Sequence, residues 1–188
     1  MMTIKIDFEN TYPPVNLNHD FSTMTFESPQ MDGSTQLLLV KIDHKHDPFL
    51  PNVCNLGFGP PGGNDSFIDN IRLKHADIHK VFSTVLFQGL SFLELHPELT
   101  IGIDGSDDLR AALYHRIFRS NKTYLRPLFN SIGVDWYVRI FRDGSYEQDT
   151  QGYYIAKPKP EPFDYKRTRH DLYRYYMFTL NRTNVFRD

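Results

Sequence analysis

At 188 residues, with 40% apolar and 14% aromatic side chains, the chain has the composition of one globular domain with room for a real core, not of a disordered segment. Its net charge of −2 is unevenly spread: residues 1–60 hold 3 Lys/Arg against 7 Asp/Glu, residues 61–120 hold 6 against 8, and residues 121–188 hold 12 against 8. The lone cysteine, Cys54, excludes an internal disulfide and a cysteine-cluster zinc site, and no apolar run is long enough to cross a membrane.

The opening MMTIKIDF lacks a charged-then-apolar leader and reads as a first strand, with Ile4, Ile6 and Phe8 alternating with polar residues. Met24 and Phe26 alternate in the same way. MDGST then signals a tight turn, because Asp-Gly supplies the positive φ that hairpins need. TQLLLVKID and NVCNLGFG read as buried strands, and SFIDNIRL as a further one. Ile78, Phe82, Val85, Leu86, Leu90 and Leu93 recur at helical spacing and predict the main helix, favoured at its start by Asp77 and stopped by Pro97.

LTIGID predicts a strand and Asp107 to Phe118 a second helix, with KTYLRPLFNSIG a short third one interrupted near Pro127. VDWYVRIF and QGYYIAKP read as late strands linked through Asp143-Gly144. KPKPEP reads as a stiff spacer, and Tyr165 to Leu180 as a C-terminal helix. The expected fold is α+β: an antiparallel or mixed sheet of about six to eight strands with two main helices packed on one face. Residues 1–157 form the domain, and residues 158–188 a Pro-rich spacer with a basic, aromatic, helical tail.

The stretch IDGSDDLRAALYHRIF holds the first candidate site. Gly105 permits the turn, Ser106 can cap the helix, and Asp107 and Asp108 suit its positive end. Two carboxylates there would repel the anion that a phosphate loop attracts. Arg110 and Tyr114 lie one turn apart beside the stripe of Leu109, Leu113 and Ile117. Arg110 either pairs with Asp107 or Asp104, or is presented with Tyr114 to an anionic or planar ligand. Asp104, Asp107 and Asp108 could also bind Mg²⁺, which makes a nucleic-acid or nucleotide-processing enzyme the alternative function.

The segment from Ser66 to Phe118, with its Gly105, Ser106, Arg110, Leu113 and Tyr114 in a Gly-Ser-x-x-x-Arg-x-x-Leu-Tyr pattern, resembles a family of bacterial proteins frequent in Bacteroidetes. The resemblance runs over about residues 35–157 and includes GVDWYVRIFRDGSYEQDTQGYYIAKP as closing strands. It implies a fold and a bacterial origin, and no activity, because the family has none established.

Other constellations carry less. GFGPPG matches a dinucleotide fingerprint in form, but Pro60 and Pro61 donate no N–H and a strand, not a helix, is expected next. His75 and His79 are four apart, yet His75 falls before the helix and Ala76 stands where a metalloprotease has glutamate. Asp43, His44, His46 and Asp47 lack a third matching cluster, so neither a metal nor a cofactor is expected. No Gly-x-Ser-x-Gly elbow is present. The tail interleaves Lys166, Arg167, Arg169 and Arg174 with Tyr173 and its neighbours, a pattern that suits a protein partner or, alternatively, nucleic acid. The reading is a non-catalytic binding or interaction protein of the bacterial cytoplasm, with Arg110, Tyr114, Lys166, Arg167, Arg169, Tyr173 and Arg174 as candidate contacts.

Overall fold

The computed structural model describes residues 3–43, 49–64, 66–68, 71–105 and 107–182. Strands β1 (Pro14–Leu17), β2 (Thr23–Pro29), β3 (Thr35–Asp43) and β4 (Val53–Gly59) form an antiparallel meander. Helix α1 (Ile78–Leu95) carries the chain across the sheet to β5 (Thr100–Asp104), which therefore runs parallel to β4. Helix α2 (Asp108–Ser120) and the single turn α3 (Lys122–Leu125) precede β6 (Phe129–Val138), β7 (Ala156–Pro162) and β8 (Tyr175–Leu180). The eight strands make one mixed sheet in the order β1-β2-β3-β4-β5-β8-β6-β7, and the fold is α+β.

The register explains the core. Phe26 on β2 sits opposite Leu38 on β3, and Met24 opposite Val40, so one face of the meander is continuously apolar. The helical stripe of Val81, Phe82, Val85, Leu86 and Leu93 joins that face, together with Ile101, Ile103, Tyr176 and Phe178. Ile117 and Phe118 of α2 belong to the same cluster. A Cβ on Gly89 would stand 3.4 Å from Ile101, so the glycine lets α1 settle close to β5. Asp77 caps α1 by accepting the Lys80 N–H at 2.9 Å. Leu50, Val53, Val134 and Met177 form a second, smaller cluster. Met177 alternates with Tyr176 and Phe178, so that cluster lies on the other side of the sheet.

Several expectations are corrected. Residues 3–7 are buried at Ile4 and Ile6 as the alternation requires, but they pair with no strand among the described residues. Side chains take their backbone N–H groups instead: His79 Nδ1 accepts from Lys5, Asn121 Oδ1 from Ile6 and Ser83 Oγ from Asp7, at 2.8–2.9 Å. Among the described residues of SFIDNIRL only Phe67 makes a bridge, to Pro61, so no strand forms there. The third helix stops at Leu125, because Pro127 removes the next donor and Phe129 begins β6.

The larger correction concerns the C-terminal part. KPKPEP is not a spacer but most of β7, at the sheet edge, with Pro158, Pro160 and Pro162 opposite Trp136, Val134 and Ile132. An edge strand can spare these N–H groups, and their absence blocks further strand pairing. The expected helical tail is not formed: Tyr175–Leu180 is strand β8, between β5 and β6. A strand apolar on both faces gives a near-continuous run that a helix pattern can imitate. Its aromatic and β-branched residues favour the strand.

Candidate functional site

Strands β4 and β5 are paired only from Val53 to Asn55 against Thr100 to Gly102. Beyond this point β4 follows β3, through Leu56 to Gly59, while β5 follows β8, through Ile103 and Asp104. Crevices form where parallel neighbours part at their carboxyl ends, and this sheet has one there. A cavity of about 500 Å³ opens there, lined by the first half of α1, from Ile78 to Leu86, and by one face of α2, from Arg110 to Phe118. Leu38, Leu56, Phe58, Phe82, Leu86 and Phe118 make its apolar wall. Asn55, Arg72, His75, Asp104, Arg110 and Tyr114 supply its polar lining.

The acid-rich turn beside it divides its carboxylates among different tasks. Asp107, not the expected serine, is the N-cap of α2: its Oδ1 accepts from Leu109 and Arg110 N–H at 2.9 and 2.8 Å. Ser106 itself lies outside the described residues. Asp107 Oδ2 also holds the Arg110 Nε at 3.1 Å. Asp108 turns away to Arg174, 2.6 Å from its Nη1. Asp104 lines the cavity with Arg110 and Tyr114. The Tyr114 ring meets Tyr176 edge-on, and burial pushes its hydroxyl up to about 12, with Arg110 opposing the shift and Asp104 and Asp107 adding to it. It is therefore a neutral phenol at neutral pH, able to donate.

His75 and His79 do not converge. His75 Nδ1 lies 2.8 Å from Ser28 Oγ and 3.2 Å from Gln30 Nε2, whereas His79 Nδ1 accepts from Lys5. Asp43 ends β3, and His44, His46 and Asp47 lie outside the described residues. Among the described residues no group of three or more His, Cys, Asp or Glu is placed to hold a metal ion. The wall residue Gly57 has its space taken by the Phe67 ring, so the GFGPPG glycines serve packing beside the cavity.

The tail candidates fall into two sets. Arg167 is mostly buried and binds Asp135 and Glu161, and its Cζ lies 3.7 Å from the Tyr173 ring centroid. Tyr173 is fully buried, donates to Glu161 at 2.7 Å and covers Gly133. Lys166 and Arg169 are exposed, and Arg174 is exposed on Asp108. None of the four tail residues Lys166, Arg167, Arg169 and Tyr173 lines the cavity with Arg110 and Tyr114.

Two features were not singled out from the sequence. One is His75 as a lining residue; its place just before the Asp77 cap was the available signal. The other is an aromatic arm. Because β8 follows β6 only to Val134, residues 136–157 extend past β8, first as the β6–β7 pair and then as a small meander bridged at Ile140–Tyr146 and Gln148–Tyr154. Two tight hairpins cap it, closed by Phe141 N–H to Ser145 O and Asp149 N–H to Tyr153 O, with Lys157 Nζ on both Glu147 oxygens at its base. Trp136, Tyr137, Ile140, Phe141, Tyr146, Tyr153 and Tyr154 are all exposed on it.

With β2 to β6 and both main helices in place, the relationship of the chain follows from comparison of its sequence with known families. A family model matches residues 9–157. The chain belongs to the family of unknown function DUF6934. The matched part holds Asp104, Arg110, Tyr114 and His75, while Arg167, Tyr173 and Arg174 lie beyond it. No curated protein and no solved structure matches the chain. No helix among the described residues is long and apolar enough to cross a membrane.

Proposed function

We propose that this chain is a non-catalytic binding protein whose ligand site is the cavity between α1 and α2. The observation that carries the reading is the division of the three carboxylates. A metal-dependent phosphoryl enzyme would gather Asp104, Asp107 and Asp108 around one point beside Arg110. Here Asp107 caps the helix and pairs with Arg110, Asp108 pairs with Arg174, and only Asp104 of the three lines the cavity. What remains is an apolar volume with a few polar groups at its rim, the form of a small-molecule site. The bacterial cytoplasm is the setting proposed, on the family resemblance and on a lone thiol that burial in β4 holds above its usual pKa.

The test is thermal stability against a panel of metals, nucleotides, oligonucleotides and small apolar molecules. A bound ligand at a hundred times its Kd adds roughly 2.7 kcal/mol. The reading expects stabilisation by a small apolar molecule and its loss in Leu86→Trp, which fills the cavity. Stabilisation by Mg²⁺ or a nucleotide, lost in Asp104→Asn, would favour the enzyme instead.

A second reading, as an interaction protein, rests on the arm. Its seven exposed apolar side chains are the kind interfaces use. Residues 136–157 carry Arg139, Arg142 and Lys157 against Asp143, Glu147 and Asp149, a charge balance that suits a second copy of the same arm. Light scattering would then show a dimer that Tyr153→Ser with Tyr154→Ser returns to monomer. A monomer at all concentrations would end this reading.

A further inference from the structure

We infer that the cavity takes an uncharged, elongated, mainly apolar ligand that places a hydrogen-bond acceptor against His75. The inference rests on the cavity being the ligand site, and adds what that ligand must be.

Length comes first. His75 is tied to Ser28 on β2, while the far end of the cavity is formed by Ile103 and Asp104 on β5. Three strand spacings separate those strands, about 14 Å. The wall between is Leu38, Leu56, Phe58, Phe82 and Leu86. A ligand spanning both ends is long and narrow, and its middle meets mainly hydrocarbon and aromatic rings, with Asn55 on β4 the polar side chain among them.

Charge comes second. Arg110 is paired with Asp107, and Arg72 and Asp104 are exposed at the rim. Among the described residues the cavity is lined by no charged side chain other than Arg72, Asp104 and Arg110, and burying a charged ligand group alone is costly. A neutral ligand avoids that cost.

The polar contact comes third. An amide nitrogen only donates, so Gln30 Nε2 beside His75 Nδ1 makes that nitrogen the acceptor. The ring hydrogen is therefore on Nε2, on the side of the ring away from Ser28 and Gln30, and His75 lines the cavity. Burial lowers the His75 pKa, which keeps the ring neutral and this tautomer in place. A carbonyl or ether oxygen satisfies that N–H. At the other end Tyr114 accepts or donates, so it sets no sign.

Titration calorimetry with 2-decanone, decanoate and decylamine, each against the wild type, His75→Phe and Leu86→Trp, tests this. We expect the ketone to bind most tightly, to weaken roughly threefold to tenfold in His75→Phe, the worth of one neutral hydrogen bond, and to be lost in Leu86→Trp. Tighter binding of decanoate or decylamine, or a ketone affinity unchanged in His75→Phe, overturns the inference while leaving the cavity as a site. A ketone that binds equally well to Leu86→Trp overturns both. Absence of binding by all three overturns the ligand class, and the wider panel then decides the cavity separately.

Discussion

Arg167 holds Asp135 with both arms of its guanidinium, Nη1 to Oδ1 at 2.9 Å and Nη2 to Oδ2 at 2.7 Å. The same Nη2 binds Glu161, whose Oε1 also accepts the Tyr173 hydroxyl. One arginine thus joins β6, β7 and the segment leading into β8. Arg167→Ala should cost roughly 1.5–3 kcal/mol in urea unfolding, since it leaves charge-assisted bonds unmade. Arg167→Lys should recover less than half, because a point charge cannot make the fork. Unchanged stability with loss of oligonucleotide binding would make Arg167 a nucleic-acid contact instead.

Asp107 is the cap of α2. Asp107→Ala should cost about 1 kcal/mol, and Asp107→Ser a few tenths, as measured by chemical denaturation. An equal cost for both would show that the Arg110 ion pair, not the cap, carries the effect.

Leu93 is fully buried under α1 and makes no part of the cavity wall. Leu93→Ala should cost about 2–5 kcal/mol. A loss below about 1 kcal/mol would place the apolar stripe elsewhere.

His115 is buried against Phe163, ring centroids 5.2 Å apart, and neither ring nitrogen has a hydrogen-bond partner among the described residues. Burial lowers its pKa; Arg119 and Arg167 lower it further, and Asp164 opposes them. His75 is lowered by burial as well. Because the folded state favours the neutral rings, their contribution is complete above the ordinary value of 6.5 and declines as pH falls below it toward the folded pKa. The melting temperature should therefore drop between pH 7 and pH 5, and His115→Phe should flatten that slope. A slope unchanged in His115→Phe would assign the pH dependence to other groups.

The parts legible in the sequence are those whose signal is local. The stripe from Ile78 to Leu93 and the Asp32-Gly33 turn, with Gly33 at φ +82°, need no distant partner to be recognised. Residues 3–7 carry the alternation of a strand and are buried as it requires, but their donors are met by His79, Asn121 and Ser83, far away in sequence. β8 imitates a helix in the sequence for a related reason: only its position between β5 and β6 makes both of its faces apolar. Gly102 and Gly133 were the overlooked clue, since each lies under a tail tyrosine, Tyr175 and Tyr173. The Arg110–Asp107 pair could be read from spacing, whereas the cavity arises from the parting of β4 and β5, which no single segment encodes.

Methyl-resolved NMR during a titration with the tightest small-molecule binder reports where on the protein that molecule sits. Ile78, Ile103 and Ile117 line the cavity, while Ile132 and Ile140 lie on β6 and the arm. The account predicts saturable shifts of the first three methyls with the other two unmoved. Shifts confined to Ile132 and Ile140, or a binder that moves none of the five, would contradict it.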